Sequence, residues 1–246
     1  MRIMISNDDG IFAPGIAALI QAFHAAGHEV IVCAPDSQRS AASHSLSIGR
    51  PISVKKVQLD GAVQAFAIGG TPADCVKLGM EVLVKDCEAV ISGINHGYNV
   101  GTDILYSGTV AAAMEGAICG VPALAVSQPF CREDYTQAAA LAVNVFDRMM
   151  AEKLEPYTIW NLNYPACDCP KGLVMAKMQP LHYNETYYKQ EDADNGCDAY
   201  VLRGVVDESR QQSEDYEKLG EGYATLTVLH GNLMDISGQK ALEEKF

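Results

Sequence analysis

Residues 1–15, MRIMISNDDGIFAPG, decide the fold class of this chain. A short apolar strand over residues 3–6 runs directly into a polar turn, Asn7 to Gly10, and Pro14 then begins a helical pattern. A buried strand that leads into a helix through a short loop is the first half of a βαβ unit. Because ligands of such folds gather where loops leave the carboxyl ends of strands, the segment also predicts where a site lies.

Apolar strands alternate with helical patterns over the next 150 or so residues. The predicted strands cover residues 3–6, 29–33, 88–92, 123–126 and 158–161, and the predicted helices cover 14–26, 71–84, 107–119 and 134–150. Strands separated by helices pair in parallel with both sheet faces covered, which predicts a doubly wound α/β fold with a mostly parallel sheet. Residues 51–57 and 63–68, joined through Asp60-Gly61, predict an inserted hairpin.

The character of the chain changes after residue 180. Residues 181–246 carry fourteen acidic and six basic residues. Two strand patterns, 186–188 and 199–202, flank the turn Asp194-Asn195-Gly196 and predict a long polar hairpin, followed by a strand over 223–229 and a closing helix over 235–246. A long exposed hairpin is only marginally stable alone. We therefore predict a catalytic domain over 1–180 and an oligomerisation region over 181–246.

Composition excludes several classes of protein. The net charge is −13, and no basic cluster exceeds Lys55-Lys56, so stable binding to nucleic acid is not expected. No apolar run reaches eighteen residues and no signal peptide follows Met1, so we expect a cytoplasmic protein without a membrane partner. The eight cysteines contain no CxxC pair, which argues against zinc and for reduced thiols.

Two adjacent carboxylates, Asp8 and Asp9, follow the first strand. They repel each other unless a cation lies between them, and a hard divalent ion such as Mg²⁺ or Mn²⁺ suits oxygen ligands of this kind. The alternative is an Asx turn with solvated aspartates.

Two further loops leave neighbouring strand ends. The loop after Cys33 offers hydroxyl oxygens, and its Arg39 is a candidate phosphate clamp. In the loop after Ile91, Asn95 offers a neutral oxygen to a metal. Ser107-Gly108-Thr109 begins a helix and predicts an anion site, with plain N-capping as the alternative.

Five blocks of this sequence resemble the SurE survival-protein family. They are residues 1–15, APD at 34–36 with RS at 39–40, GTPADCV at 70–76, SGINHGYN at 92–99 and YSGTVAAAMEG at 106–116. Five ordered blocks are far more specific than one short motif. The likeness covers nearly the whole chain and is weakest over 181–212. Gln38 and Ala41 depart from the family, which often has Asn and Gly there, and Val228 stands where a proline is usual.

The resemblance implies a metal-dependent nucleotidase. Its expected substrates are nucleoside 5′- and 3′-monophosphates, and its expected fold is a Rossmann-like three-layer αβα domain with a carboxyl-terminal region that forms a homodimer or homotetramer. One Mg²⁺ or Mn²⁺ per subunit would be held by Asp8, Asp9, Ser40 and Asn95. Of these, Asp8, Asp9 and Asn95 are also the expected catalytic residues. The expected phosphate or substrate contacts are Asn7, Arg39, Asn99, Ser107, Gly108 and Thr109.

Several alternatives stay open on sequence grounds. A dinucleotide oxidoreductase needs a GxGxxG turn after strand one, where this chain has carboxylates. A nucleotide-binding regulator without turnover would keep the same site. Either aspartate would serve as a nucleophile if it were not a metal ligand. His44 and His96 lie in the right loops for acid or base chemistry, although lone loop histidines are more often incidental.

Overall fold

A mixed nine-stranded sheet with helices on both faces dominates residues 1–190 and 198–234, which are the residues that the computed structural model describes. The strands are β1 (Arg2–Ser6), β2 (Glu29–Pro35), β3 (Val54–Val57), β4 (Gln64–Ile68), β5 (Ala89–His96), β6 (Ala123–Gln128), β7 (Thr158–Asn163), β8 (Leu173–Met175), β9 (Tyr183–Gln190), β10 (Ala199–Val206) and β11 (Ala224–His230). The helices are α1 (Pro14–Ala25), α2 (Pro72–Leu78), α3 (Gly108–Ile118), α4 (Thr136–Ala151) and α5 (Glu214–Gly220).

The predicted parallel sheet is confirmed. Its order is β3-β4-β2-β1-β5-β6-β7-β11-β8, and the six strands from β4 to β7 in this order are parallel neighbours. β3 and β11 pair antiparallel to β4 and β7. β1 lies between β2 and β5, so the connection from β1 to β2 and the later connection to β5 leave toward opposite edges of the sheet. The carboxyl end of β1 is therefore the switch point at which ligands of α/β folds bind.

The alternation of side chains along β1 produces the three layers. Ile3 and Ile5 are buried in one cluster with α1 and α4, and Met4 between them is buried in another with α2 and α3. Successive residues of a strand point to opposite faces, so one apolar run supplies both interfaces. No helix within the described residues is long and apolar enough to cross a bilayer.

Some elements differ from the predictions. The predicted hairpin forms, but its second strand joins the main sheet beside β2. The helix predicted over 71–84 ends at Leu78, and a π-helical turn, Gly79–Leu83, follows it. The short 3₁₀ helix Gly101–Leu105, β8 and α5 were not predicted. The predicted turn at 194–196 and the closing helix over 235–246 lie outside the described residues, and the division at residue 181 stays a prediction.

Close packing of α3 on the sheet requires small residues. A methyl group added at Gly116 would lie 2.7 Å from Val90 Cβ and 2.8 Å from its Cγ2. Val90 is fully buried on β5 and has no room to retreat. Gly116 therefore sets the distance between α3 and β5.

We expect Gly116→Ala to destabilise the protein by about 1–3 kcal/mol, the usual range for overpacking a core. Gly220→Ala is the matched control, because Gly220 is also helical but has no atom within 4 Å of an added methyl group. Urea unfolding of both variants measures the difference. A Gly116→Ala variant as stable as Gly220→Ala would contradict this account of the packing.

Candidate metal and phosphate site

Three loops converge at the carboxyl edge of β2, β1 and β5. The backbone N–H of Arg39, in the loop after β2, donates to the carbonyl oxygen of Asp8 at 2.7 Å. The backbone N–H of His96, at the end of β5, donates to Asp9 Oδ2 at 3.0 Å. The aspartate pair therefore lies between the loops that carry Ser40 and Asn95, as the sequence predicted.

Asp8 is a buried carboxylate, only 5% exposed. Burial raises its pKa to about 6, and the charge of Asp9 acts in the same direction. A 2.5 Å hydrogen bond from the Thr109 hydroxyl to Asp8 Oδ1 opposes this shift. A bound cation would favour the ionised form far more strongly, so the state of Asp8 fits a metal ligand.

Gln38 connects Asp9 to Ser40. Its amide nitrogen donates to Ser40 Oγ at 2.9 Å and lies 3.4 Å from Asp9 Oδ1. Sequence reasoning noted Gln38 only as a departure from the family pattern and gave it no contact with the site. Its partners stand two and twenty-nine positions away in the chain, so spacing alone held no signal for the second contact.

The donor set fits a hard divalent cation. Asn95 Nδ2 donates to the carbonyl oxygen of Gly97 at 2.8 Å, which orients the side-chain oxygen Oδ1 away from that bond. Asn95 Oδ1 and Ser40 Oγ are two neutral oxygens that complement the two carboxylates. Mg²⁺ and Mn²⁺ prefer oxygen ligands of this kind. Within residues 1–190 and 198–234, no three His, Cys, Asp or Glu side chains group as a metal site, so the proposed site depends on the neutral oxygens as well as on the two carboxylates.

The first turn of α3 borders Asp8. Ser107 Oγ accepts the N–H of Val110 at 3.1 Å and caps the helix. Gly108 comes so close that an added methyl group would lie 2.8 Å from Asp8 Cβ. The first N–H groups of a helix have no intrahelical partner and carry partial positive charge, so this end of α3 suits phosphate.

Three other residues predicted to contact phosphate form hydrogen bonds or ion pairs with other parts of the protein. Asn7 is fully buried, and its amide donates to the carbonyl oxygen of Gly10 at 2.8 Å. Asn99 is also buried, and its Nδ2 donates to Ser127 Oγ on β6 at 2.8 Å. Arg39 forms a half-exposed ion pair with Asp36 at 3.2 Å. Direct phosphate contact by these residues stays a prediction.

A cleft of about 420 Å³ opens beside Asp9. It is lined by residues 9–15 and 36–38 and by His96 and Tyr135. His96 Nε2 donates to the carbonyl oxygen of Phe130 at 2.9 Å, which holds the ring in place. The cleft gives small molecules access to Asp9 from solvent.

Comparison with known proteins gives a consistent result. The chain matches the family described as "Survival protein SurE" over residues 3–185. It is 42% identical to a protein of Clostridium beijerinckii named 5′-nucleotidase SurE, covering 96% of each chain, and 36% identical to one of the same name from Petrotoga mobilis, covering 93% of this chain and 92% of that protein. The crystal structure of SurE from Aquifex aeolicus superimposes with a TM-score of 0.83 at 34% identity, covering 100% of this chain and 99% of that one.

Asp8→Asn should stabilise the metal-free protein at neutral pH. The native pKa of about 6 lies above the ordinary value of 3.8, so ionisation costs the folded state roughly 3 kcal/mol, a penalty that develops as pH rises from about 4 to 6. Asn keeps the size and removes the charge. Urea unfolding in EDTA should show the variant more stable than wild type at pH 7.5, with most of the difference gone at pH 4.5.

The exposed Asp147 on α4 supplies the control for this comparison. Asp147→Asn should change unfolding free energy by less than about 0.5 kcal/mol at either pH. A metal-free Asp8→Asn protein that is less stable than wild type at pH 7.5 would show that Asp8 is not a strained carboxylate.

Proposed function

Because the chain belongs to the survival protein SurE family, we propose that it is a nucleotidase that hydrolyses nucleoside 5′-monophosphates, and 3′-monophosphates as well, in a metal-dependent reaction. One observation supports this most strongly: the buried Asp8 lies beside Asp9 and against the first turn of α3. A cation-binding pair of carboxylates next to an anion-binding helix end is the arrangement that a phosphate ester and its metal require.

The metal ligands in this proposal are Asp8, Asp9, Ser40 and Asn95, and the ion is Mg²⁺ or Mn²⁺. When bound, the ion supplies Lewis acidity toward the phosphoryl oxygens. Thr109 fixes one oxygen of Asp8, and the N–H of His96 fixes one oxygen of Asp9. These hydrogen bonds hold both carboxylates in place before substrate arrives.

The chain's own groups meet the negative charge of the phosphoryl group. The amides of Gly108 and Thr109 begin α3 and face the Asp8 side of the site. Arg39 is available as a second contact, because its ion pair with Asp36 is half exposed and such pairs contribute little stability. Their joint effect is to favour the transition state, in which charge builds on these oxygens.

The alternatives are weaker. The relatives named as 5′-nucleotidases give no support to a regulator that binds nucleotide without turnover. Attack by Asp8 or Asp9 as a nucleophile would compete with their role as ligands, so we propose direct attack by water. The approach to phosphorus from the cleft beside Asp9 is open to solvent.

Asp9→Asn should reduce hydrolysis of AMP at least a hundredfold, because it removes one of two charges from the metal site. Released phosphate is measured with Mn²⁺, with EDTA, and after Mn²⁺ is restored to the chelated protein. EDTA should stop the wild-type reaction and Mn²⁺ should recover it. Asp147→Asn, an equal change on an exposed helix surface, should match wild type. Undiminished turnover in EDTA would overturn the metal-dependent proposal.

We further propose that two or four copies associate through the hairpin β9–β10. This hairpin forms a two-stranded sheet separate from the main one. The opposed pairs Tyr187–Leu202 and Tyr188–Val201 lie on its two faces, and all four side chains are at least 40% exposed. An isolated hairpin with apolar residues on both faces needs another surface to be stable, and a second copy provides one symmetrically.

Deleting residues 184–204 should shift the protein to monomer while the metal loops stay folded. A second variant, Tyr187→Lys with Leu202→Glu, replaces an apolar cross-strand pair by an ion pair, so the hairpin itself is retained. Val63→Lys, at an exposed apolar residue outside the hairpin, is the control. Light scattering gives the mass of each. An unchanged oligomer after the deletion would show that other contacts hold the copies together.

A further inference from the structure

Glu115 is a buried charge that the proposed reaction does not use. It is the one charged residue of α3, in a helix otherwise made of apolar, small and hydroxyl residues, and is 2% exposed. The sequence motif that contains Glu115 does not predict a role for it, although a lone acidic residue on a helix of small residues is a signal that it has a partner. A buried charge is costly unless it is paired.

Both oxygens of Glu115 are bound by side chains from other elements. His44 Nε2 donates to Oε2 at 2.8 Å, and Lys77 Nζ of α2 donates to Oε1 at 3.0 Å. Burial alone would raise the pKa of Glu115, but the hydrogen bonds from His44 and Lys77 outweigh it and hold the pKa below its ordinary value. The carboxylate is therefore ionised and fixed, with one oxygen committed to each partner.

His44 lies in the loop that carries Arg39 and Ser40. This loop is largely exposed and lacks regular structure, and Ala41 and Ser43 adopt left-handed backbone conformations with φ of 55° and 51°. Such conformations are unfavourable for residues with a side chain, by about 1 kcal/mol or more each, and persist only where surrounding contacts enforce them. The loop needs external anchors to keep this shape.

The anchors bracket the metal ligand. On one side of Ser40, the N–H of Arg39 is bound by the carbonyl oxygen of Asp8 at 2.7 Å. On the other side, the N–H of Ser43 donates to the carbonyl oxygen of Tyr106 at 3.0 Å, and His44 is held by Glu115. Of these three contacts, only the Glu115–His44 bond is made to a carboxylate, and charge-assisted hydrogen bonds are stronger than neutral ones. Further along, the same loop is held at Ser45 by the Thr71 hydroxyl and at Ser47 by the Asp74 carboxylate.

We propose that Glu115 is a positioning residue for the hydrolysis, acting through His44 to hold Ser40 and Arg39 beside Asp8 and Asp9. The inference rests on the proposed function for its chemistry. α3 thus contributes at two positions: its first turn borders the proposed phosphate site, and its eighth residue, Glu115, anchors the loop that carries Ser40. Lys77 of α2 forms an ion pair with Glu115, which allows this buried carboxylate to stay charged.

The test compares three substitutions in the full-length protein. His44→Leu removes the bond at similar volume, His44→Gln retains an amide that donates to Glu115, and Glu115→Gln keeps the shape of the anchor without its charge. Lys218→Met, which removes an exposed ion pair with Glu221 on α5, is the control. Hydrogen exchange of residues 39–46 in metal-free protein, Mn²⁺ affinity by calorimetry, and kcat and KM for AMP are measured for each.

We expect His44→Leu and Glu115→Gln to speed exchange of the loop amides about tenfold, and to weaken Mn²⁺ binding by roughly 10–100-fold, the usual cost of losing a group that orients a metal ligand. Exchange of β1 and β5 amides should stay at the wild-type rate. His44→Gln should recover most of the Mn²⁺ affinity and of kcat. Lys218→Met should match wild type throughout.

Three outcomes would overturn the inference. The first is that His44→Leu keeps the wild-type rate of loop exchange and the wild-type Mn²⁺ affinity. The second is that exchange of the β1 and β5 amides accelerates as much as that of the loop. The third is that His44→Gln loses as much Mn²⁺ affinity and kcat as His44→Leu, which would place the imidazole itself on the substrate. Exchange and Mn²⁺ binding do not require turnover. If the wild-type protein were inactive but the variants showed the expected exchange pattern, the nucleotidase proposal would be refuted. The role of Glu115 in holding the loop through His44 would still be supported.

Discussion

The burial of Asp8 at the end of a central strand constrains everything around it. A carboxylate that is 5% exposed next to a second carboxylate is unfavourable, and its pKa of about 6 reflects this. Three neighbouring features of the structure reduce this cost. Thr109 donates a hydroxyl, α3 directs its positive end toward the site, and Gly108 omits the side chain that would separate helix from carboxylate.

The composition of α3 follows from this approach. For its first turn to border Asp8, the helix must lie close to the sheet along its whole length, and at Gly116 there is space for no more than a hydrogen atom against Val90. The alanines between these glycines are buried for the same reason. Fold and site therefore share one requirement, and a larger residue in the middle of α3 would disturb the site from a distance.

Local patterns predicted what local interactions determine. The strand-to-turn switch at Asn7, the start of a helix at Ser107-Gly108 and the alternation of strands and helices depend on neighbouring residues, and the structure confirms them. At Ser107 the structure shows the N-capping that was the alternative to an anion site, and the anion site stays a prediction. The insertion of β11 between β7 and β8 depends on pairing between segments some sixty residues apart, which periodicity does not encode. The same holds for the site. Asp8 and Asn95 were predicted as site residues because they follow strand ends, whereas the contact between Glu115 and His44 spans 71 residues.

Glu115, within α3, and Asp8, against its first turn, are two buried carboxylates whose charges are met in different ways. Both are buried carboxylates within the core of one domain. Glu115 has permanent partners in Lys77 and His44, and its pKa is lowered. Asp8 has a neutral hydroxyl and an acidic neighbour, and among the described residues no ion-pair partner, since the adjacent Arg39 is directed to Asp36. Glu115 is thus paired with cationic or donor side chains, whereas Asp8 receives hydrogen bonds but no opposite charge from the described residues, and this difference is what the proposed role of Asp8 as a cation ligand requires.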